Sequence, residues 1–272
     1  MRRLFKTLCL TLFAMLPFAQ AFAQNSADTV KEIERYRQML ADGNPAELTV
    51  ARGEDLWQQK RGPKAQSLIG CDLGLGAGVV KGAYAQLPRY FADAEKVMDL
   101  EQRLLHCQIA LQDFSREELV KQPFGDGPEK KSTMEALVAY VTEESRGATM
   151  NVSIAHPKAK ENYELGKKLF FHRGGPHDFS CASCHASNNQ RIRLQDLPNL
   201  LTKEFAQKAY GAWPAYRVSQ GELRTMQHRL WDCYRQQRFP EPQYASDALT
   251  ALTMYLAVNA NGGKYDAPAL KR

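Results

Sequence analysis

Apolar residues along this chain fall into two kinds of run. The first is a single block: Leu8 to Phe18 is apolar apart from Thr11, with Arg2, Arg3 and Lys6 before it and Ala21-Phe22-Ala23 after it. The block is too short to span a bilayer. Its basic start and small-x-small end have the form of an export signal cut before Gln24. Residues 1–23 are therefore expected to be removed and the mature chain to be periplasmic, with no membrane span. Elsewhere the apolar positions come at helical spacing. Gly53-x-x-Leu56-Trp57 runs into Arg61-Gly62, and Gly166-x-x-Leu169-Phe170 runs into Arg173-Gly174. Each predicts a helix stopped at glycine. Ala136-Leu-Val-Ala-Tyr-Val141 and Ala251-Leu-Thr-Met-Tyr-Leu256 predict two more helices, each carrying a tyrosine. Thr29 to Leu40 is charged and helix-prone.

The helical runs form a diverged internal repeat. Pro88 and Tyr90 fall on Pro214 and Tyr216 at an offset of 126 residues, and Arg103-Leu104-x-x-Cys107 falls on Arg229-Leu230-x-x-Cys233 at the same offset. Ahead of these pairs each half carries a cysteine: Cys71-Asp-Leu-Gly74-Leu75 in the first, Cys181-Ala-Ser-Cys184-His185 in the second. The pattern predicts an all-α protein without a strand-rich section.

Cysteine usage gives the repeat a chemistry. Cys181-x-x-Cys184-His185 is the spacing by which two thiols add to the vinyl groups of a haem and the next histidine is set beneath the iron. Zinc would need two further ligands from a partner motif, and the chain has neither a second C-x-x-C nor an H-x-x-x-H. One covalently bound haem c is expected. Helix, haem cysteine, loop and terminal helix with an aromatic is the plan of a cytochrome c domain. The chain thus reads as two tandem cytochrome c-like domains, the N-terminal one without haem because Gly74 and Leu75 stand where the second cysteine and the iron ligand would be. The expected boundaries are a signal peptide at 1–23, an extension at 24–44, the degenerate domain at 45–147, a linker at 148–157, the haem domain at 158–263 and a tail at 264–272.

Charge narrows the partners. The chain has 36 basic and 30 acidic residues. Three basic residues leave with the signal, and a residual net charge of +3 is too mild to argue for nucleic acid.

Three other cysteines remain after Cys9 leaves. In the repeat, Cys71 sits at a haem-thioether position and Cys107 at a distal-ligand position. Without haem between them they can approach, and a Cys71–Cys107 disulfide would close a loop of about 37 residues, worth roughly 3–4 kcal/mol in the chain-entropy model. Cys233 is then unpaired, 48 residues beyond His185. As second axial ligand it competes with Met226, His228 and Met254. Cys233 is favoured: it has no disulfide partner and aligns with a cysteine of the degenerate cavity. Arg229 lies one helical turn before Cys233 and is a candidate for holding an anionic substrate. Arg103 occupies the same place in the first half, so a structural role for Arg229 stays open. Arg235 and Arg238 read as a solvated face.

Cys71-Asp-Leu-Gly-Leu-Gly, Leu87-Pro-Arg-Tyr-Phe-Ala-Asp, Val97-Met-Asp-Leu-Glu-Gln-Arg-Leu-Leu-His-Cys107, the haem motif and Arg229-Leu-Trp-Asp-Cys-Tyr-Arg235 together give the chain its family likeness. It resembles the SoxA family, the catalytic cytochrome subunits of bacterial thiosulfate oxidation, in the form with a single haem. The resemblance implies a heterodimer with a SoxX-like small cytochrome c. It implies oxidative coupling of thiosulfate to a cysteine of a SoxYZ-like carrier, an L-cysteine S-thiosulfotransferase activity. It also implies that Cys233 ligates the haem and is often persulfidated, and that Arg229 lines the substrate channel. The residues alone also allow a plain periplasmic electron-transfer cytochrome, or a scaffold whose haem only holds the fold.

Overall fold

The computed structural model describes Arg35 and residues 43–126, 130–192 and 195–271. The expected signal peptide and most of the extension lie outside the described residues. The first half begins with helix α1 (Ala46–Gln58), followed by a 3₁₀ turn at Ala83–Gln86, a hairpin of β1 (Arg89–Phe91) and β2 (Lys96–Met98), then α2 (Leu100–Gln112), α3 (Arg116–Lys121) and α4 (Thr133–Glu143). The second half runs α5 (Pro157–Phe171), α6 (Cys181–His185), the short hairpin β3 (Arg191–Ile192) and β4 (Gln195–Asp196), α7 (Lys203–Tyr210), β5 (Ala215–Arg217), β6 (Glu222–Arg224), α8 (Met226–Gln236), α9 (Asp247–Asn259) and β7 (Ala269–Lys271).

The two halves are built on one plan. α1 packs on α4, and α5 packs on α9. A glycine makes each crossing possible. A methyl group on Gly53 would overlap the Ala136 carbonyl, and one on Gly166 would overlap that of Ala251. The backbones therefore meet at a distance that only glycine permits. The hairpins β1–β2 and β5–β6 are antiparallel, and their pairs Arg89↔Met98 and Ala215↔Arg224 are separated by the same 126 residues. Leu87–Pro88 and Trp213–Pro214 are both cis. Helices α2 and α8 start from matching caps: the Asp99 side chain accepts from Gln102 N at 2.9 Å, and the Thr225 hydroxyl accepts from His228 N at 3.1 Å.

The fold is predominantly helical, but not wholly so. The hairpins of each half are strands of two or three residues, and β7 joins β5 in parallel to make a three-stranded sheet in the order β6-β5-β7. Strands this short contain too few alternations to leave a period in the sequence. The stretch expected to link the halves is built in: Met150 and Val152 are buried, and Met150 N donates to Gly263 O at 2.8 Å. The expected tail is likewise structured, with Tyr265 buried and Tyr265 N donating to Ala148 O at 3.0 Å. Residues 45–272 accordingly form one compact unit. No helix among the described residues is long and apolar enough to cross a membrane.

Candidate functional site

Cys71 and Cys107 are bonded, with Cα atoms 5.6 Å apart across 36 residues of sequence. Around them the first half has closed over itself. The Asp72 side chain accepts from Gly74 N at 2.6 Å and Gly76 N at 2.9 Å, winding a loop where the second half has helix α6. Gly74 has φ of 103°, and a Cβ there would press into the Arg89 side chain. Arg103 is 3 % exposed; its Nε donates to Asp72 O at 2.6 Å and its Nη1 to both oxygens of Asp93 at 2.9 and 2.8 Å. Its guanidinium lies 4.1 Å from the Phe91 ring centroid.

The second half keeps the corresponding positions apart. Cys181, Cys184 and Cys233 are all free and half-buried. They line one cavity of about 270 Å³ together with His185, Arg229 and Met226. Phe170, Tyr210, Trp213, Leu252 and Leu256 supply apolar wall. The pocket thus has the mixture a flat, greasy cofactor requires: mostly hydrocarbon, with a few converging polar atoms.

Each side chain is placed by a local cause. The Ser180 hydroxyl caps α6 by accepting from Ser183 N at 3.2 Å, while the Ser183 hydroxyl accepts from Ser180 N at 3.0 Å. This reciprocal box fixes the turn that carries both cysteines and the histidine. His185 Nδ1 lies 2.9 Å from Pro198 O. That nitrogen therefore bears the proton and donates, leaving the Nε2 lone pair for a metal. Burial pushes the His185 pKa down and the Arg229 charge adds to the effect, against the raising pull of the Pro198 hydrogen bond; the net direction favours the neutral imidazole that a metal would need. On α8, Met226, Arg229, Leu230 and Cys233 share one face and all line the cavity. Burial pushes the Cys233 thiol up and Arg229 pulls it down, with Asp232 and Cys184 opposing Arg229. Burial thus favours the neutral thiol, and the Arg229 charge is what works for the thiolate. The donor set of two thiols and an imidazole on one turn, with a third thiol on the facing helix, fits haem c.

Two of the competing ligands, His228 and Met254, are directed elsewhere. His228 Nδ1 meets Glu135 Oε1 of α4 at 3.0 Å, and its ring stacks on Phe124 with centroids 4.1 Å apart. Met254 is fully buried on α9 and is not part of the cavity wall. Arg235 turns to Asp232 at 2.8 Å, and Gln236 Nε2 donates to the same carboxylate at 2.6 Å. Arg229 reaches Asp232 only at 3.4 Å, and its side chain is 30 % exposed. Where Arg103 is fully engaged, Arg229 is lightly held and faces the cavity. Two cations that sequence reasoning missed, Arg217 and Lys271, also line it.

The Glu135–His228 contact ties α8 to the first half and gives a pH-dependent stability. Burial raises Glu135 to about 8 and lowers His228 to about 4. The folded chain thus keeps a proton on Glu135 that the unfolded chain loses above about 4.5, so stability falls as pH rises from there to about 8. For His228 the unfolded chain holds the extra proton between about 4 and 6.5, so stability rises with pH there. The two oppose each other in mild acid. Above 6.5 Glu135 acts with Glu101, which burial and Asp99 also raise to about 8. Chemical denaturation should show stability declining from pH 6.5 to 8, with a slope of at most about 1.4 kcal/mol per pH unit for each group. Glu135→Gln should flatten that slope; an unchanged slope would mean that Glu135 ionises normally in the fold.

Comparison with known proteins agrees with this architecture. The model of the SoxA/TsdA cytochrome c domain matches two stretches, residues 52–150 and 165–265. A protein of Hydrogenophilus thermoluteolus named L-cysteine S-thiosulfotransferase subunit SoxA is 54 % identical over 248 residues, covering 91 % of this chain and 90 % of the relative. A protein of the same name from Hydrogenobacter thermophilus is 33 % identical over 257 residues, 94 % of this chain and 93 % of the relative. Among solved structures, the crystal structure of SoxXA from P. pantotrophus is similar, with a TM-score of 0.71 and 24 % identity, over 88 % of this chain and 84 % of that one. At that identity the likeness speaks for the fold alone.

Proposed function

Because this chain belongs to the SoxA/TsdA cytochrome c family, we propose that it is a SoxA-type subunit of an L-cysteine S-thiosulfotransferase that oxidatively couples thiosulfate to a cysteine of a SoxYZ-like carrier. In the overall reaction an S–S bond forms between the carrier sulfur and the sulfane sulfur of thiosulfate, the carrier thiol gives up its proton, and two electrons leave. The haem c, when bound, supplies the exit for those electrons toward a SoxX-like partner cytochrome.

The observation that carries this reading is the convergence of α8 on α6: Cys233 and Arg229 share one cavity with Cys181, Cys184 and His185. Cys181 and Cys184 anchor the cofactor by thioether bonds. His185, its tautomer held by Pro198, would offer Nε2 to the iron. Cys233, on the same cavity, would supply a second ligand and the sulfur that thiosulfate meets. Arg229 binds the oxyanion end of thiosulfate beside that sulfur, its forked donors matching two oxygens. The first half carries no haem; its disulfide and the buried Arg103 fill the place. The chain works in the periplasm after residues 1–23 are removed.

A second reading has one observation in its favour: Met226 also lines the cavity, as a plain electron-transfer cytochrome with methionine ligation would require. Mass spectrometry and spectroscopy of the exported protein test both. The expected result is a chain from Gln24 plus one haem, without the weak methionine-to-iron charge-transfer band, and thiosulfate-dependent modification of the carrier when partner and carrier are added. A second haem mass would refute the haem-free first half. A methionine band without coupling would favour the second reading.

A further inference from the structure

The internal repeat provides a control for the charges around Arg229. In the first half, Arg103 is neutralised by Asp93 and covered by Phe91. At the same offset of 126 residues the second half has Ser219 and Arg217. The acid has been lost, and the aromatic cover has become a second cation. A further element then appears that has no counterpart in the first half. β7 runs parallel to β5 with Lys271 paired to Arg217, so the two side chains stand on one face of the sheet. Both line the cavity that holds Arg229 and Cys233. Lys271 Nζ lies 6.0 Å from the Trp213 ring centroid.

Like charges directly opposite on neighbouring strands repel, and little in the protein offsets them. Arg217 Nε donates to Gln220 Oε1 at 3.3 Å. Among the described residues neither Arg217 nor Lys271 has a carboxylate at ion-pair distance. The acids nearby are committed: Glu222, the β6 neighbour of Arg217 in register, to Arg224 at 2.9 Å, Asp232 to Arg224, Arg229 and Arg235, Asp196 to Arg191, and Asp266 to Arg146. Burial pushes the Lys271 ammonium down, and Arg217, Arg229 and Lys208 push the same way, with Asp266 alone opposing them. This is a pocket wall that an anion would stabilise.

We infer that Arg217 and Lys271 join Arg229 in a three-cation seat for a small doubly charged sulfur oxyanion, and that the C-terminal strand exists to complete it. The inference rests on the function proposed above and names the residues that hold its substrate. A planar guanidinium, a second one and an ammonium from different elements surround a tetrahedral anion better than one arginine can.

The test uses the haem-loaded protein and thiosulfate as probe. Affinity is measured by titration calorimetry at two ionic strengths, beside the haem spectrum and midpoint potential. Arg217→Gln and Lys271→Gln should each weaken thiosulfate binding about tenfold to a hundredfold, and lessen its salt dependence, with spectrum and potential unmoved. Lys271→Arg should retain most of the affinity, which separates a lost charge from a disturbed strand. Unchanged affinity in both Gln variants, with Arg229→Gln impaired, would overturn this inference while leaving the proposed function standing. A shifted haem potential with unchanged affinity would also overturn it, because the cations would then be holding the cofactor's own carboxylates. No thiosulfate binding by the unmodified protein would remove the reading beneath both.

Discussion

Replacing Cys233 by methionine should leave the haem in place, change its spectrum, and reduce the coupling of thiosulfate to the carrier by about a thousandfold or more. Retention of the haem is expected because its attachments are on the other side of the cavity. Cys181, Cys184 and His185 all belong to α6, whose turn is closed by the Ser180–Ser183 box and does not depend on α8. A change of spectrum is expected because position 233 lies on the α8 face that lines the cavity, and a thioether carries no charge to place on iron. The reduction potential should rise for the same reason: a thiolate stabilises the oxidised metal and a neutral sulfur does so less. Loss of coupling follows if the Cys233 sulfur is where thiosulfate is engaged, since a methylated sulfur cannot accept another sulfur atom and leave again. Visible and paramagnetic spectra of the variant, taken with a carrier-modification assay, decide the matter. An unchanged spectrum would place the ligand elsewhere, and Met226, the other sulfur on this face, would be the residue to replace next. Met226→Leu in an otherwise native chain is the matching control, and its spectrum should not change.

Much of this was legible before the structure because the repeat is a long-range signal. Matches in the same order, with those from Pro88 to Cys107 at a constant offset, fixed which residues of the two halves are equivalent, and the haem-cavity positions of Cys71 and Cys107 then suggested that they pair. The ligand candidates were harder. On a helix each residue advances about 100°, so Met226 and Cys233 fall on one side and His228 nearly opposite. Knowing that α8 starts at Met226 would have set His228 aside, but its partner Glu135 lies 93 residues away in the other half, and no local pattern connects them. Arg217 and Lys271 were missed for a related reason. Lys271 sits in a short C-terminal stretch without periodicity, and its position is fixed only when β7 pairs with β5, more than 50 residues earlier in the chain. Arg217 did leave a trace. An aromatic in one copy of the repeat facing an arginine in the other is a change of chemistry at an equivalent site, and such a change marks where the second copy acquired a task.

Arg229 is the residue whose loss should separate substrate binding from cofactor binding most cleanly. Thiosulfate carries two negative charges and must approach a cysteine sulfur that is itself anionic when it ligates metal. Two unit charges about 4 Å apart interact by about 4 kcal/mol at an effective dielectric near 20, so the approach is opposed unless a fixed cation stands beside it. Arg229 is in the right condition to serve. It lies one turn from Cys233 on the same face of α8, it opposes the rise that burial imposes on the Cys233 pKa, and its contact with Asp232, at 3.4 Å, is longer than the 2.8 Å contact that Arg235 makes with that carboxylate. Arg103, at the equivalent place, is committed to Asp93 and Asp72 and has no freedom to bind anything. Arg229→Gln keeps most of the side-chain length and removes the charge. The variant should keep the native haem spectrum, since no attachment is touched, and lose about a hundredfold or more in kcat/KM for thiosulfate, in line with the removal of a charged hydrogen bond from a half-buried pocket. Arg229→Lys should recover part of this, because it restores the charge without the fork. Steady-state coupling measured beside both spectra distinguishes the cases. Normal turnover in Arg229→Gln would make the arginine a structural counterpart of Arg103. The substrate's charge would then have to be met by Arg217 and Lys271 alone, which the variants at those positions would reveal as a larger loss than Arg229 itself produces.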